Sequence, residues 1–177
     1  MYIFQFTGLS GSGKTTHANL LRSKLIELSY NAEIVDGDVY RKTVSRDLGF
    51  SIDDRIENIS RLFSIAEKIS KDNCIAILSI INPFEEVRKQ HRLVANVRTV
   101  YFECSLETLI KRDPKGLYEK ALLPTDNPDR IKNFTGISSP FEIPSTYDLK
   151  IETDTTSIKQ TSETLLAFSL NCLKKQV

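Results

Sequence analysis

The sequence predicts an α/β fold: a parallel sheet between two layers of helices. Short apolar runs alternate with amphipathic stretches along all 177 residues. That is the pattern of strands joined by crossover helices. The run at 74–81 is apolar almost throughout, as expected of a strand covered on both faces. The first predicted strand runs directly into Gly8-Leu9-Ser10-Gly11-Ser12-Gly13-Lys14-Thr15. This stretch fits the phosphate-binding pattern of two glycines followed by Lys and Ser/Thr.

Residues 2–7 read as the first strand. A helix over 15–28 follows, with Ala18, Leu20, Leu21, Leu25 and Ile26 spaced for burial. A short strand at 32–35 ends in Asp36-Gly37-Asp38, and a short helix is expected over 39–46. The clearest helix is 53–71, where Ile56, Ile59, Leu62, Phe63, Ala66 and Ile69 share one face. After the buried strand at 74–81 come a charged helix at 84–93, a strand at 97–102 and a helix at 106–112. Residues 115–144 show no periodicity and hold four of the six prolines. An irregular stretch of that length in a compact chain is more often a functional lid than a slack loop. A strand at 149–152 and a helix at 157–173 complete the chain. The expectation is one three-layer α/β/α domain over 1–177, of the P-loop NTPase type, with a lid near 111–140.

The phosphate loop carries the first functional assignment. Its glycines let consecutive N–H groups point at one phosphate, and the following helix adds its positive end. Gly8, Ser10, Gly11, Ser12, Gly13, Lys14, Thr15 and Thr16 are therefore the expected ATP-phosphate site. Lys14 would reach the β/γ-phosphates, and the Thr15 hydroxyl would ligate Mg²⁺. A glycine-rich turn without function explains the glycines but not Lys14-Thr15 at a helix start. In open parallel sheets ligands bind at the carboxyl ends of strands. Asp36 and Asp38 fall at such an end. One can orient metal-bound water, and the other can accept a proton from an acceptor hydroxyl. The alternative is an Asp-Gly turn with a helix cap at Asp38. The strand at 74–81 ends in Ser79-Ile80-Ile81-Asn82 with no acidic residue. Metal handling then falls to Thr15, with Asp36 acting through water.

Other features narrow the class. Net charge is +1, giving no reason for nonspecific nucleic-acid or membrane binding. No apolar run approaches a membrane span. The phosphate loop lies too near the first residue for a signal peptide, so a cytoplasmic location is expected. Cys74, Cys104 and Cys172 are scattered and odd in number, as reduced thiols are. His17 reads as a packing or surface residue. Asp113-Pro114-Lys115-Gly116 matches the Asp-x-x-Gly of GTPase switches, but it follows a helix and reads as a decoy. Arg55 and Asn58 share a face at the start of the long helix and could hold an anion, with Arg41 nearby in sequence. Phe50 and Phe134 lie in glycine-containing loops. Aromatics there are poor core builders and could stack on a base.

Taken together, these segments resemble adenylylsulfate (APS) kinases. The matching pieces include the phosphate loop, Asp36-Gly37-Asp38, Asp47-Leu48-Gly49-Phe50 and Asp54-Arg55-Ile56-Glu57-Asn58. Further matches are Asp113-Pro114-Lys115-Gly116-Leu117-Tyr118 and Lys132-Asn133-Phe134-Thr135-Gly136-Ile137, the most specific of the series. The resemblance implies transfer of the ATP γ-phosphoryl group to the 3′-hydroxyl of adenosine 5′-phosphosulfate, with Mg²⁺ required and PAPS and ADP as products. Asp38 would be the base, with Lys14 and Asp36 beside it in the catalytic set. Arg41, Arg55 and Asn58 would hold the phosphosulfate and ribose. Phe50 and Phe134 would sandwich the adenine, Lys132 would touch substrate near the lid, and Ile81 and Asn82 would border it. A homodimer is expected from the same resemblance. The chain departs from the family's pattern in Asn82, where the family has serine, and in Glu85, where a basic residue is usual. It departs also at 39–45 and at Ser138. Several of these positions lie on the acceptor side. A related nucleotide as acceptor therefore stays open, as does a regulator that binds nucleotide without transferring phosphate.

Overall fold

The structure is a computed structural model and describes residues 1–94 and 96–174. Among these, five strands form one sheet: β1 (Ile3–Thr7), β2 (Ala32–Asp36), β3 (Ile75–Ser79), β4 (Val97–Glu103) and β5 (Leu149–Glu152). The spatial order is β2-β3-β1-β4-β5, and every pairing is parallel. The helices are α1 (Lys14–Glu27), α2 (Gly37–Tyr40), α3 (Ile52–Lys71), α4 (Glu85–Arg92), α5 (Leu106–Arg112), α6 (Leu117–Ala121) and α7 (Ile158–Lys174).

Strand alternation divides the core into two layers. Phe4, Phe6, Ile75, Ile77, Val100 and Phe102 face Ala18, Leu21 and Leu25 of α1 and Leu165 of α7. Ile3, Val35, Ala76 and Leu78 face Ile59, Leu62, Phe63 and Ala66 of α3. Because β3 is covered on both sides, it is apolar almost throughout. Each fully buried Ile or Leu there contributes about 1.5–3 kcal/mol. A third, smaller cluster of Leu109, Tyr118, Ala121 and Phe134 lies against Leu9 of the phosphate loop.

Four sequence expectations need correction. In α1, Leu20 and Ile26 are exposed, and only Ala18, Leu21 and Leu25 of the five are buried. In α3, Ile56 is exposed. The helix expected at 39–46 starts at Gly37 and stops at Tyr40. It starts early because the Asp36 carboxylate caps the amides of Asp38 and Val39. It stops because Ser45 N–H folds back onto the Tyr40 carbonyl. The aperiodic stretch after 115 contains α6, which at five residues is too short to show a period. Its start is fixed by Asp113, whose carboxylate accepts from the amides of Leu117, Tyr118 and Glu119. The GTPase-like Asp-x-x-Gly is thus a helix cap.

Candidate active site

The carboxyl ends of β1, β2 and β3 converge on the phosphate loop. Lys14 opens α1 and is buried, with Nζ donating to the carbonyls of Gly8 at 2.8 Å and Leu9 at 2.7 Å. Its third neighbour is Ser12 Oγ at 3.4 Å. Burial, reinforced by the nearby Lys115 ammonium, lowers its pKa to about 7, although Asp38 and Asp36 act in the opposite direction. An ammonium held this way is primed for a polyanion, which would restore its charge.

Asp36 and Asp38 have separate partners. Asp36 is buried, and its Oδ2 accepts from Thr15 Oγ1 at 2.8 Å. Its Oδ1 serves the helix cap described above. Asp38 is exposed, and its carboxylate pairs with the Lys115 ammonium from the segment before α6. The cap that the alternative reading placed at Asp38 is supplied by Asp36 instead, because the Asp36 carboxylate accepts from the first amides of α2 while the Asp38 side chain pairs with Lys115.

The arginine pair is brought together on one ring. Arg41 lies over Phe50 at 4.5 Å and Arg55 at 5.8 Å. Arg41 Nη1 donates to the carbonyls of Gly49 and Leu48. Arg55 donates to the Phe50 carbonyl, to Thr135 Oγ1 at 2.6 Å and to the Asn133 carbonyl. One guanidinium thus ties the 50-loop to the 133–135 segment. Burial lowers both arginine pKa values, and for Arg55 the Arg41 charge adds to it. Two cations this close, with no carboxylate bonded to either among the described residues, favour an anionic ligand.

Phe50 is 60% exposed and available for stacking. Phe134 corrects the expectation that it is a poor core builder. It is only 8% exposed and packs edge-on against Tyr118, with ring centroids 4.9 Å apart. Lys132 is exposed beside it. Thr16 is exposed on α1, and Ser10 offers its carbonyl to the Tyr118 hydroxyl at 2.9 Å.

The turn after β3 is rigidly set. Thr7 Oγ1 donates to the Ile81 carbonyl at 2.6 Å and also to that of Asn82, while Arg88 Nη1 grips the Asn82 carbonyl at 2.6 Å. Asn82 has φ of 39° and is buried, yet both amide atoms lack a partner. Asn58 Oδ1 and the hydroxyls of Ser45 and Ser79 are likewise buried without partners. Buried polar atoms without a partner call for a ligand or water.

Several contributors escaped the sequence reading: Arg88, Lys115, Tyr118 and Thr135. Arg88 is buried and binds Glu85 at 2.7 Å and the Glu142 carbonyl at 2.5 Å. Glu85 also accepts from Ser145. The unusual acid at 85 is therefore spent on a clasp between the β3–α4 turn and residues 142–145. Although burial works against it, Ser145 and Arg88 hold the Glu85 pKa low. Ser138 likewise has a structural job, accepting from Phe134 N–H at 3.0 Å. The signal for Arg88 was available: an arginine three residues after a glutamate on one helix face.

Comparison with known proteins agrees with this geometry. A family model described as adenylylsulphate kinase matches residues 1–152. An adenylyl-sulfate kinase of Clostridium acetobutylicum is 43% identical over 85% of this chain and 74% of its own. One from Chloroflexus aurantiacus is 43% identical over 92% of this chain and 85% of its own. Among solved structures, the Mycobacterium tuberculosis APS kinase CysC in complex with AMPPNP and APS superposes with a TM-score of 0.87 at 35% identity. That match covers 94% of this chain and 96% of the other. With the phosphate loop, the paired aspartates and the arginine pair at one end of a parallel sheet, the chain belongs to the adenylylsulphate kinase family of ATP-dependent kinases.

Proposed function

We propose that the enzyme transfers the γ-phosphoryl group of ATP to the 3′-hydroxyl of adenosine 5′-phosphosulfate, giving PAPS and ADP. The observation that carries this reading is the division of the two aspartates. Asp36 is committed to Thr15 and the α2 cap. Asp38 is exposed and held only through the Lys115 ammonium. Asp38 is then free to take the acceptor proton as the 3′-oxygen attacks the γ-phosphorus and ADP leaves. Lys115 holds that carboxylate, and with Lys14 it offers positive charge where the transferred phosphoryl group must pass.

The acceptor's phosphosulfate lies against Arg41 and Arg55, its base on Phe50 bordered by Phe134, and its sugar near Asn58, Ile81 and Asn82. Lys132 closes the rim. The phosphate loop from Gly8 to Thr16 cradles ATP. Residues 111–140 form the lid, tied to the loop through Tyr118 and to α3 through Arg55. Closure excludes water and limits wasteful hydrolysis.

Thr15 Oγ1 and Asp36 Oδ2 are hard oxygens 2.8 Å apart at the start of α1, a donor set suited to Mg²⁺. No cluster of three or more His, Cys, Asp or Glu is present among the described residues. The remaining ligands would be phosphate oxygens and water, the usual arrangement for nucleotide-bound Mg²⁺. When bound, the ion neutralises charge on the β- and γ-phosphates. No helix among the described residues is long and apolar enough to cross a membrane. Scattered thiols such as Cys74 and Cys104 suit a cytoplasmic setting. Dimerisation, implied by family resemblance, is open to sedimentation.

Purified protein incubated with Mg-ATP and APS should form PAPS and ADP in equal amounts, identified by mass. Phosphorylation of another nucleotide with APS inert would reject the acceptor assignment. Asp38→Asn should lower kcat by about 10²-fold or more with KM for APS little changed, since a base acts mainly in the transition state. An unaltered kcat would remove Asp38 from the chemistry.

A further inference from the structure

Ser79 closes β3 at the position where no acidic residue stands. In register it lies opposite Phe6 of β1 on one side and Asp36 of β2 on the other. It therefore sits between the strand that feeds the phosphate loop and the strand that ends in the Thr15-bound carboxylate. Its side chain falls on the α1 face of the sheet. Ile75 and Ile77, four and two residues earlier, pack against α1 and α7 residues in that layer. Ile34, two residues before Asp36, packs against the same layer, so Asp36 and Ser79 share a face. Thr15, in the first turn of α1, meets Asp36 from that same side. Ser79 is 3% exposed and its hydroxyl has no hydrogen-bond partner. A buried hydroxyl without a partner is costly for the free protein and needs a reason. Nothing in core packing supplies one, because alanine would fit the same strand.

We propose that Ser79 supplies a third protein oxygen to the shell of the nucleotide-bound divalent cation, beside Thr15 and Asp36, in place of a carboxylate at the end of β3. The inference rests on the magnesium reading above. It makes Ser79 a positioning residue for the metal and gives it no part in proton transfer.

The test measures Mn²⁺ affinity of the protein–ADP complex by electron paramagnetic resonance, together with Tm of the protein free of metal and nucleotide. Ser79→Ala should weaken Mn²⁺ binding by about tenfold, the scale of an outer-shell loss. Its metal-free Tm should stay level or rise, because the hydroxyl removed had no partner. Ser79→Thr keeps the hydroxyl and should keep wild-type affinity. A change under about twofold, far short of the usual outer-shell effect, would overturn the proposal. So would a Ser79→Thr protein that behaves like Ser79→Ala, or an affinity loss accompanied by a lowered Tm. Wild-type protein whose ADP complex takes up no Mn²⁺ would reject the magnesium reading itself, and the role of Ser79 with it.

Discussion

Lys14 illustrates how a single side chain links burial to binding. Its folded pKa of about 7 lies below the ordinary 10.5, with burial the main cause. Between those values the unfolded chain holds a proton that the folded free protein lacks, so this residue makes stability rise with pH across that window. A bound triphosphate would pull the pKa back up. Nucleotide binding near pH 8 should therefore take up a proton. Calorimetry in two buffers of different ionisation enthalpy reads this directly, and identical heats would refute it. Lys14→Ala should abolish the uptake and lower turnover by about 10²-fold or more without unfolding the chain. Arg88 shows the opposite kind of dependence, because it is buried and fully engaged. Arg88→Met would strand Glu85 and the carbonyls of Asn82 and Glu142. Breaking a buried pair on one side costs about 3–5 kcal/mol. Urea unfolding should show a loss of that order, while a loss under about 1 kcal/mol would mean the clasp behaves as a surface pair.

Between elements, the segment 111–140 proposed as a lid meets the phosphate loop through the Tyr118 hydroxyl on Ser10 and through Gly136 against Leu9. Gly136 has φ of 92°, and a Cβ there would stand 2.7 Å from Leu9 Cδ2. Gly116 has φ of 61° but open space around it. Alanine at either position carries the left-handed strain of about 1–2 kcal/mol. Only Gly136→Ala also displaces Leu9 from the loop. It should therefore raise KM for ATP several-fold, whereas Gly116→Ala should lower Tm without that rise; equal KM effects would show that the Gly136 segment does not act through the loop. The sequence carried most of the sheet, because β3 and the α3 face follow simple periodicities and the phosphate loop follows a spacing. It did not carry these fastenings. Phe134 and Tyr118 pack on each other although they lie 16 positions apart, with irregular chain after α6 between them. Arg55 finds Thr135 across 80 positions. Such contacts depend on how a loop folds back, and no local period encodes that. The partners of Glu85 and the burial of Asn82 likewise depend on how residues 142–145 and the turn after β3 fold back.

At the scale of the whole molecule, His91 joins elements that must remain together for the site to exist. It is buried on α4, stacks on Phe63 of α3 at 3.7 Å, and bonds Gln5 of β1, which in turn meets Thr99 of β4. Burial lowers its pKa from 6.5 to about 4. Below pH 6.5 the unfolded chain binds a proton that the folded protein refuses until about pH 4. Stability from this residue is thus fully present above 6.5 and is lost as pH falls toward 4, by on the order of 3 kcal/mol. Asp47, Asp54 and Asp154 also have lowered pKa values, with hydrogen bonds to their carboxylates favouring the charged form, and so does Asp113, where burial works against the shift but three backbone amides outweigh it. They push in the same direction, so acid sensitivity alone identifies nothing. A paired comparison does. His91→Gln keeps a donor for Gln5 but cannot titrate. At pH 7 the variant should be less stable than wild type through lost stacking on Phe63. At pH 4.5 the gap should narrow or reverse, because only wild type then suffers the penalty on its histidine, while the aspartates act equally in both. Urea midpoints at the two pH values decide the matter: a gap that stays constant would show that His91 does not set the acid limit of this fold.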